Sequence, residues 1–195
     1  MARALGLLAA LVLLLAVAAP AQAQQRLRDG VQLPPEGFDF VTWDPVLKQT
    51  PNRPGRRWGT RKLIDTTFLV LREFRDANPE APRILVGDLS RQHGGPFGAR
   101  YGGLGHLSHR TGLDVDIYYP RLDGLERAAR RPDQVDRELA QDLVDRFVRA
   151  GAIKVFVGPR VRLSGRRKIV TPLVHHDDHL HVRLSARRVN QPLPG

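Results

Sequence analysis

Two short segments of this chain alternate apolar and polar residues at every step. In LDVDIYY, residues 113 to 119, the apolar Leu113, Val115 and Ile117 alternate with Asp114, Asp116 and Tyr118. In HLHVRL, residues 179 to 184, His179, His181 and Arg183 alternate with Leu180, Val182 and Leu184. A period of two is the period of a β-strand, whose successive side chains point to opposite faces. Each segment is expected to be a half-buried strand with its apolar face on a core. The polar face then carries two carboxylates in the first strand and two imidazoles in the second, with the apolar packing leaving those groups available for chemistry.

The rest of the chain supplies the partners such strands need. PRILVGDLS (82–90), IKVFVG (153–158) and RKIVTPLV (167–174) read as further strands, the last two joined by a basic turn containing Ser164 and Gly165. From Thr60, Leu63, Ile64, Phe68, Leu71 and Phe74 recur at helical spacing, predicting an amphipathic helix that ends before Pro79. A second helix fits Asp133 to Ala150, with Leu139, Leu143 and Phe147 at four-residue steps, Asp133 or Asp136 as its cap and Gly151 as its stop. RQHGGPFGARYGGLGHLS, with its many glycines, reads as a long functional loop. Residues 24–59 are rich in Pro, Gly, Arg and Gln and show no sustained period, so they are expected to form an irregular arm pinned by Trp43 and Trp58. The order of elements predicts an α+β fold: one domain, residues 60–195, with a small mainly antiparallel sheet and flanking helices.

The first residues bear on where the chain works. An apolar run from Ala4 to Ala19 follows a single arginine and leads to Ala21-Gln22-Ala23, the pattern of a secretory signal peptide cleaved after residue 23. The run is short of the roughly 20 apolar residues of a membrane span, and no other segment reads as an integral membrane domain. With no cysteine, the chain has neither a lipoprotein acylation site nor disulfides, so an exported protein must be held by packing and metal. A periplasmic location is expected. The net charge is +11, or +10 without the leader and its one Arg3. That charge draws polyanions, but export and the absence of an aromatic-interleaved basic platform argue against nucleic acid. Anionic cell-wall peptides fit better. Nothing in the sequence bears on oligomeric state.

Four of the seven histidines, His175, His176, His179 and His181, fall within seven positions, and His106 and His109 precede the Asp-rich strand. His109, Asp116 and one imidazole of the His179/His181 pair make a set of two nitrogens and one oxygen that zinc accepts, and strand geometry allows either histidine of the pair. Three protein ligands leave a coordination position open, which marks a catalytic rather than a structural site and favours amide hydrolysis. An imidazole off the metal is then available to move protons. HExxH and GxSxG are absent, and without cysteine a thiol nucleophile is excluded. Asp114 shares the polar face of Asp116, where it is either a solvated strand residue or a partner that orients a ligand by hydrogen bonding. His93, in the glycine-rich loop, carries no role.

These residues resemble a known family. GHLSHRTGLDVDI (105–117) and HHDDHLHVRL (175–184) are similar to the motifs of the penicillin-insensitive murein endopeptidases, which belong with lysostaphin, the D-Ala-D-Ala metallopeptidases and hedgehog domains. RRWGTRKLID (56–65), VFVGP (155–159) and QPLP (191–194) add to the likeness. The resemblance implies a periplasmic zinc hydrolase that cuts peptide cross-links of peptidoglycan, chiefly the D-alanyl to meso-diaminopimelyl bond. It implies His109, Asp116 and His181 as the zinc ligands, His179 as the histidine of base or transition-state work, and His176 and His106 as further active-site histidines. In the mechanism expected from these roles His179 deprotonates the water and His176 steadies the oxyanion. His106 matches a position where some members bind additional metal, and His175 has no assigned role. The chain departs from familiar members in having no cysteine. Two other readings compete: a D,D-carboxypeptidase or dipeptidase of the same scaffold, and a zinc-bearing wall-binding module without catalysis.

Overall fold

The computed structural model describes Leu27, residues 29–101 and residues 107–186. The expected leader, His106 and the QPLP string lie outside the described residues. In chain order the elements are β1 (Val31–Gln32), β2 (Phe40–Thr42), β3 (Trp58–Gly59), α1 (Arg61–Ala77), β4 (Ile84–Val86), β5 (Asp114–Tyr118), α2 (Arg137–Arg149), β6 (Ala152–Val157), β7 (Val170–Pro172) and β8 (His179–Leu184). β1 and β3 form a small antiparallel pair, and the other strands form one sheet in the order β2-β4-β5-β8-β6-β7. The central pairings β4–β5, β5–β8 and β8–β6 are antiparallel, and the outer pairings β2–β4 and β6–β7 are parallel. This is the expected α+β architecture with a mainly antiparallel sheet. Among the described residues no helix is long and apolar enough to cross a membrane.

Both helices form where their caps and stripes predict. The Thr60 hydroxyl accepts from the Leu63 N–H at 3.2 Å, satisfying one of the donors that the first turn of α1 leaves unpaired. α1 buries Leu63, Ile64, Thr67, Val70, Leu71 and Phe74. Phe68, expected in that stripe, is 37% exposed and packs instead on Phe40 at 5.7 Å between ring centres. Asp136, not Asp133, caps α2, accepting from Glu138 N and Leu139 N at 3.1 Å each. Ala140, Leu143, Val144 and Phe147 form its buried stripe. These stripes close over the apolar face of the sheet, where Val115, Ile117, Leu180, Val182 and Leu184 join the main core. Each such side chain contributes about 1.5–3 kcal/mol on burial.

Three expectations differ from the structure. β5 is buried along its whole length and β8 at every residue except Arg183, so the polar faces are covered rather than half-open. The cause is position: both strands lie in the middle of the sheet, with helices on one face and loops on the other. The segment 24–59 is not irregular throughout, because β2 joins the main sheet beside β4 and β3 pairs with β1. Trp43 is buried, whereas Trp58 is half-buried in β3 with its backbone bonded to Ser90. Finally, β6 and β7 are parallel neighbours, so the basic stretch between them is a crossover rather than a hairpin turn.

Candidate metal centre

The register of β5 against β8 builds the site. Asp116 lies directly opposite His181 and Tyr118 opposite His179, so the carboxylate strand and the imidazole strand present their polar faces to one another. His109 arrives from a 3-10 turn, Leu107–Thr111, that precedes β5. The ring Nδ1–H of His109 donates to the Leu89 carbonyl at 2.5 Å, which leaves Nε2 as the atom facing Asp116, 3.3 Å from Oδ1. His181 Nδ1 lies 2.9 Å from the same carboxylate oxygen, and its Nε2–H is shared between Asp114 Oδ1 at 3.0 Å and Ser108 Oγ at 3.1 Å. One ligand atom from each of His109, Asp116 and His181 falls within 4.8 Å of the others, and all three residues are buried. These three form a cluster able to hold a metal ion.

The donor chemistry fits such an ion. Ligands about 2.0–2.1 Å from a tetrahedral zinc stand roughly 3.4 Å apart, close to the 3.3 Å between His109 and Asp116, whereas His181 stands nearer to Asp116, at 2.9 Å. Asp114, fully buried, engages the far nitrogen of His181 and so fixes which nitrogen faces Asp116, the carboxylate–histidine arrangement that orients metal-binding imidazoles. Burial alone would raise the Asp116 carboxyl, but His109 and His179 outweigh it and hold it well below the usual carboxylate range. Burial opposes protonation of His181, yet its hydrogen bonds to Asp114 and Asp116 raise it to about 9. Two buried carboxylates therefore hold a positive charge at this point in the fold, and a cation meets the same field.

His176 and His179 flank the cluster. Their rings lie 4.8 Å apart, and His176 is 6.0 Å from His181. The His179 Nδ1–H donates to Asp178 Oδ1 at 2.7 Å, and Nε2 lies 3.9 Å from Asp116. Burial would lower the basicity of His179, but Asp116 and Asp178 raise it. His176 Nδ1–H donates to the Val174 carbonyl at 2.9 Å, and burial lowers its basicity. The sheet thus gathers His109, Asp116, His176, His179, His181 and Asp114. His93 and His175 are exposed and stand apart from the cluster.

Sequence reasoning did not single out Asp178, Ser108 or Tyr119. Asp178 immediately precedes His179, and neighbours within a strand face opposite ways. Their contact exists because β8 starts at His179, leaving Asp178 in the preceding turn. Tyr119 is buried, donates to the His176 carbonyl and accepts from the Gly158 N–H, each at 3.1 Å. Glycine at 158 is required by close approach: a Cβ there would stand 2.5 Å from the His176 carbonyl oxygen and the Asp177 Cα.

Residues 22–150 match the family model described as penicillin-insensitive murein endopeptidase. His109 and Asp116 lie within that match, and the histidines of β8 lie beyond it. A penicillin-insensitive murein endopeptidase of Salmonella heidelberg (strain SL476) is 31% identical over 142 residues, covering 57% of this chain and 50% of the relative. One from Escherichia coli O157:H7 is 32% identical over 147 residues, and one from Salmonella arizonae 33% over 143, with the same coverage. The chain spans about half the length of the curated relatives it matches. With the family model covering well over half of its residues, this chain belongs to the penicillin-insensitive murein endopeptidase family.

Proposed function

We propose that this protein is a zinc-dependent D,D-endopeptidase, exported to the periplasm by residues 1–23, that hydrolyses D-alanyl–meso-diaminopimelyl cross-links of peptidoglycan. The reading is carried by one observation: a buried His109, Asp116 and His181 cluster in a chain of this family. These three residues would hold the zinc, with residues 60–195 supplying every reacting group. When bound, zinc polarises the scissile carbonyl and makes amide hydrolysis accessible near neutral pH.

The protein's own groups carry the proton steps. Asp178 keeps the His179 proton on Nδ1, so Nε2 takes a proton from the attacking water, and the carboxylate stabilises the imidazolium that results. His179 then returns that proton to the leaving amine. His176 keeps its proton on Nδ1 against the Val174 carbonyl, which makes Nε2 an acceptor. That bonding favours orienting the water over the oxyanion role expected from sequence.

The test is mass spectrometry of cross-linked muropeptide dimers incubated with zinc-loaded protein and with a chelated control. Conversion of dimers to monomers only with zinc supports the reading. Loss of a terminal D-alanine with intact dimers points to a carboxypeptidase, and bound zinc without any cleavage points to a wall-binding module. Among variants, His109→Ala loses metal and activity together, whereas His179→Ala keeps its zinc and loses roughly 10²–10⁴-fold in kcat. Equal zinc loss in both would refute the division of roles.

A further inference from the structure

A cleft of about 1120 Å³ opens beside the histidine cluster, and its wall includes Trp43, Lys48, Arg127, Arg130, Arg160 and Asp178. It adjoins the centre through its wall: Asp178 bonds His179, and Trp43 packs edge-on against Tyr118 at 6.2 Å, with Tyr118 5.4 Å from His179. The acidic side chains of the cleft are already engaged. Asp177 pairs with Arg160 at 2.6 Å, and Asp178 accepts from His179 at 2.7 Å. Lys48, Arg127 and Arg130 make no ion pair among the described residues. The lining therefore carries four cations, Lys48, Arg127, Arg130 and Arg160, against the two carboxylates of Asp177 and Asp178, with Asp123 also in the field of Arg127.

The backbone that presents these cations is held in place. Lys48 sits at φ +56°, in a turn closed by Lys48 N–H to Asp44 O and Asp44 N–H to Gln49 O, both at 2.8 Å. His175, on the opposite lip, is at φ +66°. Non-glycine residues adopt such angles at a cost that surrounding structure must offset, and they gather at binding sites. The Arg127–Arg130 stretch is anchored on both sides: Glu126 pairs with Arg83 at 2.7 Å, and Gln134 Oε1 accepts from the Arg130 N–H at 2.8 Å. Charged side chains on an anchored loop lose less freedom when a ligand arrives. The indole N–H of Trp43, a buried residue, has no acceptor among the described residues. Buried donors are nearly always paired, so this one is an exception at the cleft wall.

We propose that this cleft is a carboxylate-binding subsite. It holds a free carboxylate of the peptide whose amide bond lies at the histidine cluster, with Lys48, Arg127 and Arg130 as its charge partners. The identity of the peptide rests on the function proposed above; the anionic character of the ligand rests on the cleft alone. Carboxylate charge, and not only the cross-linked bond, then sets which peptides the protein accepts.

The experiment compares two cross-linked muropeptide dimers that differ only in having free or amidated carboxylates. Hydrolysis and calorimetric binding are measured for the zinc-loaded full chain, for Arg127→Gln/Arg130→Gln and for Lys48→Gln. All three side chains are exposed and make no hydrogen bond to the fold, so the variants keep the structure. Wild-type protein is expected to favour the free-carboxylate dimer by roughly tenfold in KM with little change in kcat, a preference that fades with added salt. The double variant is expected to lose most of that preference while still turning over the amidated dimer. Equal handling of the two dimers by wild type, or an unchanged preference in the double variant, overturns the subsite. If wild type cleaves neither dimer, the hydrolase reading fails on its own. The binding data then decide the subsite: tighter binding of the free-carboxylate dimer, lost in the double variant, sustains it, and equal binding overturns it.

Discussion

Tyr119 ties the histidine turn to the end of β6 through one hydroxyl. Its bonds to the His176 carbonyl and the Gly158 N–H are both buried, so Tyr119→Phe strands an acceptor and a donor at once. Leaving buried groups unpaired costs about 1–3 kcal/mol, which lowers the melting temperature by roughly 2–12 °C in a chain of this size. Because His176 is held by that bond, kcat should fall more than KM changes; a variant that melts normally would refute the tie. Asp44 gives a prediction in pH. Burial raises its carboxyl, but the Arg53 side chain and the Leu47 and Val46 amides outweigh it and leave it lowered. A carboxyl lowered by folding contributes stability that is complete above its unfolded value near 3.9 and is lost as pH falls through the folded value. Acid melts should therefore show Asp44→Asn losing less stability than wild type below about pH 4. At this scale the sequence was uneven. Asp116 and the paired histidines stood out by alternation, but Tyr119 looked like any strand-end aromatic, and its role depends on chain 39 residues away.

Between β4 and β5 the described part of the glycine-rich loop, residues 91–101, packs on a buried ion pair. Arg56 is fully buried, donates through Nε to Asp88 Oδ1 at 2.6 Å, pairs again through Nη2 with Oδ2, and lies 4.3 Å from the Phe97 ring centre. Asn52 Nδ2 donates to Asp88 Oδ1 at 3.1 Å, and the Asp88 carbonyl accepts from Asp116 N at 3.0 Å. The pair thus connects the arm to the strand that bears the Asp116 side chain. Arg56→Met leaves the Asp88 charge buried without its partner and should cost about 3–5 kcal/mol in urea unfolding, whereas Arg56→Met/Asp88→Leu should recover much of that loss. Additive costs in the double variant would mean that the two residues act separately. Elements with local signals were legible: α1 and α2 carry caps and stripes within their own sequence. The strands of residues 24–59 were not, because β2 is only Phe40–Thr42 and is a strand by virtue of pairing with β4, far along the chain. The same blindness hid the parallel β6–β7 crossover, since period two reveals a strand but not its neighbour or its direction.

A cysteine-free chain of this size has only packing, hydrogen bonds and bound ions to join its distant parts. The candidate metal ligands come from three places: a turn before β5, β5 itself and β8 at the far end of the chain. An ion on His109, Asp116 and His181 would therefore act as a cross-link that stabilises the whole fold, because the unfolded chain does not hold these donors together. Binding of this kind stabilises by the logarithm of ligand over dissociation constant, about 2.7 kcal/mol at a hundredfold excess. For a domain of this length that corresponds to a rise in melting temperature of roughly 5–11 °C over the chelated protein. The rise should grow with zinc concentration in wild type and vanish in His109→Ala and in His181→Ala. It should persist in His179→Ala, whose ring pairs with Asp178 outside the cluster of donors. Scanning calorimetry at several zinc concentrations reads all four proteins alike, without substrate or turnover. A shift that survives in His109→Ala would place the ion elsewhere, and no shift in wild type would mean that the buried histidines and carboxylates hold only protons.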